Sequence, residues 1–548
     1  MSAKQGKART YDALGRPITT TDGRGTTVTF TYNAHDRPIK VEGPNQTVTY
    51  TWDKDGNLAQ RTDPTGTTRY AFDSLSRETV RTLPDGSQTV LTYTAEGNVE
   101  SYEDPAGTVH YDYDDVNNLL TLTQPGDAEI TFDYDANGSL TKKTFPGGTV
   151  EKITRDGSTR PTQITATSGQ GTLTDLTFNY ATDTGSDDTR LHSRQDTVNG
   201  WDYSYAYDAT GRLTDTVLNQ GGTLLRHWTL CYDAVGNITS YDDADTATCP
   251  GQYTLTYDDA DQITSLNGDT SGFAYDAEGN QTAGAMRPES TFTNAQWNDL
   301  SQMTSVTHDG TVYAAAYAST DQSERTCLGD TAFHNGPVGL SGQTAAGVDI
   351  NFTRCPEGDL HGFRTADKRY YYLTDLIGSI EAVVDEDGNK VNQYLYELFG
   401  AVRPETSEQV PQPYRYAGGY QDPTELYHLG ARYLEPYIGR FTQPDPSGQE
   451  LNPYLYAAGD PTNNIDPTGL GFWSSAWSAI DSLSKSSLAG KILYYWQGCL
   501  VGMGVAFSSG AFEFAAALGP EAALAVLGLT CWGGAKLSNV NALPEIGG

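Results

Sequence analysis

"YDALGRPI" at residues 11–18 recurs down the chain with its aromatic and its turn residues in step. "YNAHDRPI" follows at Tyr32, "WDKDGNLA" at Trp52, "FDSLSRET" at Phe72, "YTAEGNVE" at Tyr93, "YDDVNNLL" at Tyr113 and "YDANGSLT" at Tyr134, the anchors standing 20 or 21 residues apart. Ahead of the anchors apolar residues alternate: Val28, Phe30, Tyr32; Val48, Tyr50, Trp52; Val109, Tyr111, Tyr113; Ile130, Phe132, Tyr134. A two-residue period puts these side chains on one face of a strand. The "D-x-x-G-N/R" that follows supplies a Gly free to take positive φ, as a tight turn requires. A second strand such as "NLAQRTD" and a second turn such as "DPTG" complete a β-hairpin. One hairpin is marginal alone, so successive units are expected to pair into a continuous sheet. Beyond Tyr134 the spacing loosens. Anchors return at Tyr207, Tyr232, Tyr257, Tyr275 and Trp297, and residues 286–368 are the least regular.

Composition agrees. The 548 residues suffice for several domains or one large repetitive body. The chain is rich in Tyr (35) and Gly (58) and poor in Met (4), which suits short strands joined by turns. A formal net charge of −35 argues against nucleic acid as a partner, because phosphate binding is dominated by Lys and Arg. "MSAKQGKARTYDALGRP" has no apolar run of the kind a secretory signal needs, so none is expected in this chain. The six Cys fall in three sequence-local pairs, Cys231 with Cys249, Cys327 with Cys355 and Cys499 with Cys531. They read as disulfides of an oxidising compartment, with buried thiols as the competing reading. No CxxC occurs; neither a metal site nor a cofactor is expected.

These hairpins resemble the YD repeats of the RHS family, whose shells are similar to the C components of insecticidal toxin complexes and to animal teneurins. The resemblance covers roughly residues 10–470. It implies a mostly β fold, with hairpins wound into a spiralling sheet that forms a hollow shell; the period by itself gives only a repetitive β-structure. "YYLTDLIGSIEAVVDEDGNKVNQYLYELFGAV" from Tyr371 resembles the last hairpins before the family's core. "YRYAGGYQDPTELYHLGARYLEPYIGRFTQPDP" from Tyr414 to Pro446 looks like the RHS-associated core with its "ARYxxPxxGRFxxxDP" signature, and "NPYLYAAGDPTNNIDPTGL" completes it. The implied division is a tail over 1–9, a shell over 10–370, the core over 371–470 and a variable cargo over 471–548.

In many members such a core is an intramolecular aspartic-type protease that cuts after the Leu of "DPxGL". Carried over by resemblance, the catalytic pair is Asp445 and Asp466, the scissile bond is Leu470–Gly471, and Arg440 of "GRF" supports a carboxylate. Two carboxylates held close do not both ionise cheaply, so one keeps a proton. One then activates a water while the other protonates the leaving amine. The competing reading is structural: Asp-Pro starts turns, and the chain has other copies at Asp63, Asp104 and Asp460, while an Arg beside Tyr often only packs. "AAGDPTNN" also departs from the family's usual segment before the second Asp-Pro.

Behind Leu470 the chain changes character. Residues 471–548 carry three Lys against four acidic residues, a net of −1, and hold no His or Arg. That argues against an enzymatic cargo. The 21 uncharged residues from Ile492 to Phe512 match the length of a bilayer-spanning helix. Tyr494, Tyr495 and Trp496 sit at one end, and Gly498 and Gly502 form a GxxxG. The apolar stretch 522–535 suggests a return arm of a helical hairpin, with Glu513 between the arms or within the second. The competing reading is a small soluble helical core or an unfolded cargo shielded by the shell.

The leading functional expectation is a polymorphic toxin whose shell encloses a membrane-active C-terminal peptide and frees it by self-cleavage. The alternatives are an adhesive YD-repeat surface protein binding glycans or proteins, and a shell with an enzymatic cargo. The leading reading implies as partners the chain's own cargo, an immunity protein, a target membrane, and a plug or second shell subunit at the N-terminal end. It implies a secreted or cell-surface location on a bacterium.

Overall fold

The computed structural model describes residues 8–182, 184–242, 248–287, 290–366, 368–448, 450–471 and 473–474. Among these residues the regular elements are β-strands and three short 3₁₀ turns. Antiparallel strands follow one another as sequence neighbours. A 24-stranded sheet runs from Ala8–Tyr11 to Ile263–Leu266, and a 14-stranded sheet from Ala274–Tyr275 to Ser407–Glu408. The strand Arg369–Thr374 pairs on both sides, so the second sheet continues through position 370. A small four-stranded sheet follows, from Tyr420–Gln421 to Arg440–Phe441. The helical cargo expected after Leu470 lies outside the described residues. Among those described, no helix is long and apolar enough to cross a membrane.

The repeat has a specific hydrogen-bond logic. Tyr and Trp anchors cap carbonyls of the preceding hairpin: Tyr32 Oη donates to Pro17 O, Trp52 Nε1 to Pro38 O, Tyr113 Oη to Val99 O and Tyr134 Oη to Leu119 O. The Asp behind the anchor builds the turn. Asp114 Oδ1 accepts the N–H of Val116 at 2.9 Å and of Asn118 at 2.8 Å, while Asn118 Nδ2 donates to Asp114 Oδ2. Where Arg takes the Asn position it does two jobs: Arg77 Nε donates to Asp73 Oδ2 at 2.7 Å, and its guanidinium lies 4.2 Å from the Tyr93 ring centroid. Such cation–π contacts are how the anchors meet the next hairpin. Arg16 covers Tyr32 and Arg37 covers Trp52 in the same way.

The sheet winds. Gly23 N donates to Glu278 Oε2, 255 residues on, and Asn45 N donates to Asp299 Oδ2, 254 residues on. Ser319 N donates to Asp63 Oδ2 across 256 residues, and Arg364 Nη2 to Ala106 O across 258. The offset starts near 255 residues and shortens along the chain, to 229 between Gln124 and Thr353 and 169 between Trp228 and Glu397, so the second winding runs back along the first. About twelve hairpins, or 24 strands at about 4.8 Å spacing, then make a winding of roughly 115 Å of sheet. Charge pairs staple the windings: Arg61 bonds Asp63 at 3.0 Å and Glu324 at 2.7 Å. Apolar side chains pack between them too; Tyr111, Leu122 and Phe132 of the first winding share a core with Tyr371, Leu373 and Val384 of the second.

Cys231 and Cys249 are joined as expected. The expected Cys327–Cys355 pair is corrected: both are free. Cys355 takes the place of Asp in a hairpin turn, where its N–H bonds Asp359 O and its side chain is buried in the core between windings. Cys327 lies in the strand Arg325–Leu328 and is half-buried. Nearness in sequence does not bring their sulfurs together because each is fixed in a different hairpin. Cys499 and Cys531 lie outside the described residues.

Candidate active site

The segment ending the core is a tight turn clamped onto the small sheet. Ala431 N donates to Thr468 O at 2.8 Å. Gly430 and Gly469 both take positive φ, and a Cβ on Gly469 would stand 2.4 Å from Leu429 O. The clamp therefore needs glycine at both positions. It places the backbone from Asp466 to Gly471 beside Arg432.

Asp466 is fully buried. Its Oδ1 accepts the N–H of Leu470 and its Oδ2 the N–H of Gly471, each at 3.2 Å. The carboxyl thus lies against the amide nitrogen of the Leu470–Gly471 bond. Burial pushes its proton affinity up; Arg432 and the two N–H groups oppose this, and the net shift is upward. Arg432, also fully buried, holds the array together. Its Nη2 donates to Asp466 Oδ2 at 2.8 Å, its Nε to Gly469 O, and its Nη1 to Pro453 O at 3.1 Å. Its guanidinium stacks 3.5 Å from the Phe441 ring centroid.

Asp445 stands on the other side of Pro453. Its N–H donates to Pro453 O at 2.8 Å, so one carbonyl serves both Asp445 and Arg432. Its Oδ1 accepts Ser447 N and its Oδ2 the Ser447 hydroxyl. Glu450 completes the cluster, its Oε2 3.9 Å from Arg432 Nη1 and its N–H 3.4 Å from Asp445 Oδ2. Burial pushes the Glu450 carboxyl up to about 7, against the pull of Arg432 and with the help of Asp445 and Asp466.

The structure thus brings Asp445, Asp466 and the Leu470–Gly471 bond into one region and places Arg440 elsewhere. Arg440 donates from Nη1 to Asn237 Oδ1 at 2.7 Å and from Nη2 to Asp261 O, between the rings of Tyr257 and Tyr454. It ties the core to the first winding, while the Arg that contacts Asp466 is Arg432. Nothing in "ARYLEPYIGRF" says which guanidinium turns toward Asp466; in the structure it is that of Arg432, 34 residues before it. Glu450 was missed because it belongs to no motif.

Gly498, Gly502 and Glu513, the candidate membrane residues, lie outside the described residues. Among those described, no group of three or more His, Cys, Asp or Glu is arranged to hold a metal ion.

Comparison with known proteins gives a consistent placement. A family model described as the teneurin YD-shell matches residues 2–205, 189–312 and 351–461. The chain is 31% identical over 218 residues to a tRNA3(Ser)-specific nuclease WapA of Bacillus spizizenii, covering 36% of this chain and 9% of that protein. It is 33% identical over 139 residues to toxin subunit YenC1 of Yersinia entomophaga, covering 24% and 14%. It is 38% identical over 103 residues to toxin protein Tse5 of Pseudomonas aeruginosa, covering 18% and 8%. The chain therefore spans only a small part of these relatives' lengths. In fold it is similar to the crystal structure of TcdB2-TccC3, with a TM-score of 0.68 at 18% identity over 85% of this chain and 28% of that one. That likeness is one of fold, and the family match extends over most of the sequence: the chain belongs to the teneurin YD-shell family.

Proposed function

We propose that this chain is the shell and self-cutting core of a polymorphic toxin, and that the core hydrolyses its own Leu470–Gly471 bond to free residues 471–548. The observation that carries the reading is the Asp466 carboxyl, buried and bonded to the N–H groups on both sides of that bond. A peptide amine leaves only when its nitrogen is protonated, and in the proposed reaction Asp466, whose proton affinity burial raises, is the acid that does it. In the proposed step a water adds to the Leu470 carbonyl carbon as Asp445 takes its proton. The C–N bond then breaks as Asp466 gives its proton to Gly471 N. The products are a carboxyl at Leu470 and an amine at Gly471, and the proton held by Asp445 passes on to restore Asp466. Arg432 fixes the Gly469 carbonyl and Asp466 together, so the chain itself holds the bond beside the Asp466 carboxyl.

The freed peptide is proposed to act on a target membrane. In this proposal its uncharged span and second apolar arm insert as helices once in lipid, where helices satisfy their own backbone hydrogen bonds. A shell around such a peptide removes an apolar surface that is unfavourable in water at about 25 cal/mol per Å². A secreted or surface location and an immunity partner belong to the same proposal. The test is a denaturing gel of wild-type protein beside Asp466→Asn. Wild type is expected as two pieces and the variant as one; a wild-type chain in one piece overturns the reading.

A further inference from the structure

The turn that carries the Leu470–Gly471 bond is gripped through Ala431. Its N–H donates to Thr468 O at 2.8 Å, and its carbonyl accepts two side-chain amides, Gln443 Nε2 at 3.1 Å and Gln322 Nε2 at 3.0 Å. Gln443 belongs to the core itself. Gln322 comes from the second winding, 109 residues before Ala431, in the connection between the strands Thr311–Tyr317 and Arg325–Leu328. Its side chain is buried, and its partners fix which way the amide points: Oε1 accepts the N–H of Met303 at 2.8 Å, which leaves Nε2 for Ala431 O. Its backbone carbonyl accepts His428 Nε2 of the core at 2.8 Å. The same connection is stapled to the first winding, where Ser319 N donates to Asp63 Oδ2 at 3.2 Å and Glu324 Oε2 lies 2.7 Å from Arg61 Nη2. Gln322 therefore sits where both windings and the core meet.

We propose that Gln322 is a positioning residue of the self-cleavage, supplied by the second winding so that the scissile bond is set against Asp466 only when that winding has closed over the core. This rests on the hydrolysis proposed above and adds its regulation. The physical argument is one of placement. The scissile turn hangs on two neighbouring residues: Ala431 N holds Thr468 O, and Arg432 Nε holds Gly469 O. Whatever fixes Ala431 and Arg432 therefore fixes the Leu470–Gly471 bond relative to the Asp466 carboxyl. A carbonyl oxygen has two lone pairs, and at Ala431 both are taken, one from inside the core and one from the shell. Before the second winding is in place Ala431 O keeps only Gln443, and the turn is free to drift from a geometry in which small misplacements cost rate steeply. Cutting thus follows closure, and the peptide behind Leu470 stays covalently attached until the shell is around it.

The test uses the full chain, synthesised cell-free and quenched over time, with the cut fraction read by intact mass. Gln322→Met keeps the length of the side chain and removes both of its hydrogen bonds. Gln322→Glu keeps the acceptor for Met303 N and loses the donor to Ala431 O, which returns when the carboxyl is protonated. Thr326→Val is the control, since it removes a bond that stays within the same hairpin, from Thr326 Oγ1 to Ala316 O. Gln322→Met is expected to cut about tenfold more slowly than wild type at every pH, and Thr326→Val to stay within roughly twofold. Gln322→Glu is expected to be about as slow as Gln322→Met near pH 8 and to approach the wild-type rate near pH 5.5, because burial raises a carboxyl into that range. His428 does not titrate there, as burial holds it down at about 3. Resistance to added protease shows which variants have folded; where Gln322→Met has not, Gln322→Glu compared with itself across pH carries the test. Gln322→Met cutting at the wild-type rate overturns the role of Gln322 and leaves the hydrolysis standing. Equal slowing in Thr326→Val makes the effect a general loosening of the hairpin, and a Gln322→Glu rate that keeps one ratio to wild type at every pH denies the donor to Ala431 its part; either overturns the proposal. A wild-type chain that stays uncut removes the reaction itself, and this role with it.

Discussion

Arg432 Nη2 donates to Asp466 Oδ2 at 2.8 Å, with both side chains closed off from solvent. Removing one partner of such a pair leaves the other buried and unpaired, which costs several kcal/mol, about 3 to 5. A pair of this kind is fragile as a stability device. It makes better sense as a fixed geometry, because the same guanidinium also holds Gly469 O and the same carboxylate also holds Gly471 N.

The two arginines of the core signature separate the roles. Arg432→Lys keeps the charge but loses the fork that reaches Asp466, Gly469 and Pro453 together. Cleavage after Leu470 is expected to slow by about a hundredfold, the usual scale for losing a positioned donor. Arg440→Lys loosens the tie to Asn237 and Asp261 and is expected to leave the rate within roughly threefold, because it touches no group bonded to the scissile peptide. Time courses of the two variants at equal protein folding decide it; equal slowing in both contradicts the assignment.

The repeat makes a local prediction. Tyr113→Phe removes the bond to Val99 O and is expected to weaken its hairpin by about 1 kcal/mol. Asp114→Ala strips the acceptor from the N–H groups of Val116 and Asn118 and is expected to cost more, about 2 kcal/mol. Hydrogen exchange at those two amides is the measurement, since both belong to the turn itself and report its local opening. Unchanged exchange in Asp114→Ala would show that the turn holds without its Asp.

Buried carboxyls set the pH dependence of stability. Burial pushes Glu357, Glu381 and Glu450 each up to about 7. Groups raised in the folded chain contribute most below their unfolded value near 4.3, and that contribution is lost as pH rises through about 7. At Asp73 and Asp114 burial works the same way but is outweighed by turn hydrogen bonds, so these carboxyls sit below the usual range. Their contribution is lost as pH falls below about 4. The denaturation midpoint is therefore expected to be highest near pH 5 and to fall toward pH 8. A midpoint that climbs steadily to pH 8 contradicts the burial of these groups.

Thiol chemistry reports on the corrected cysteines. Burial raises the Cys355 thiol well above its usual range, which makes it a poor nucleophile as well as a hidden one. In the native protein Cys327 is expected to alkylate first and Cys355 only on unfolding, while Cys231 and Cys249 stay protected until reduced. Peptide mapping after native and denaturing alkylation reads all four. Prompt native labelling of Cys355 would place it outside the core between windings.

What was legible in the sequence follows from which interactions are local. Tyr113, Asp114 and Asn118 meet within one hairpin, so their spacing announces both the strand and its turn. The winding was legible only through resemblance, because Gly23 and Glu278 meet across 255 residues and neither carries a motif that names the other. Asp466 and Leu470 are four apart and were found together; Arg432 and Glu450 reach Asp466 by folding and were not. Cys327 and Cys355 show the opposite error, where nearness along the chain suggested a contact that hairpin geometry denies.

The central claim is that the core cuts its own chain. The most direct test is the intact mass of the purified wild-type protein after denaturation, with the N-terminus of any small fragment read in the same sample. The account predicts two polypeptides, one ending at Leu470 and one beginning at Gly471, which separate only on denaturation. A single polypeptide running unbroken through Leu470 and Gly471 would contradict it.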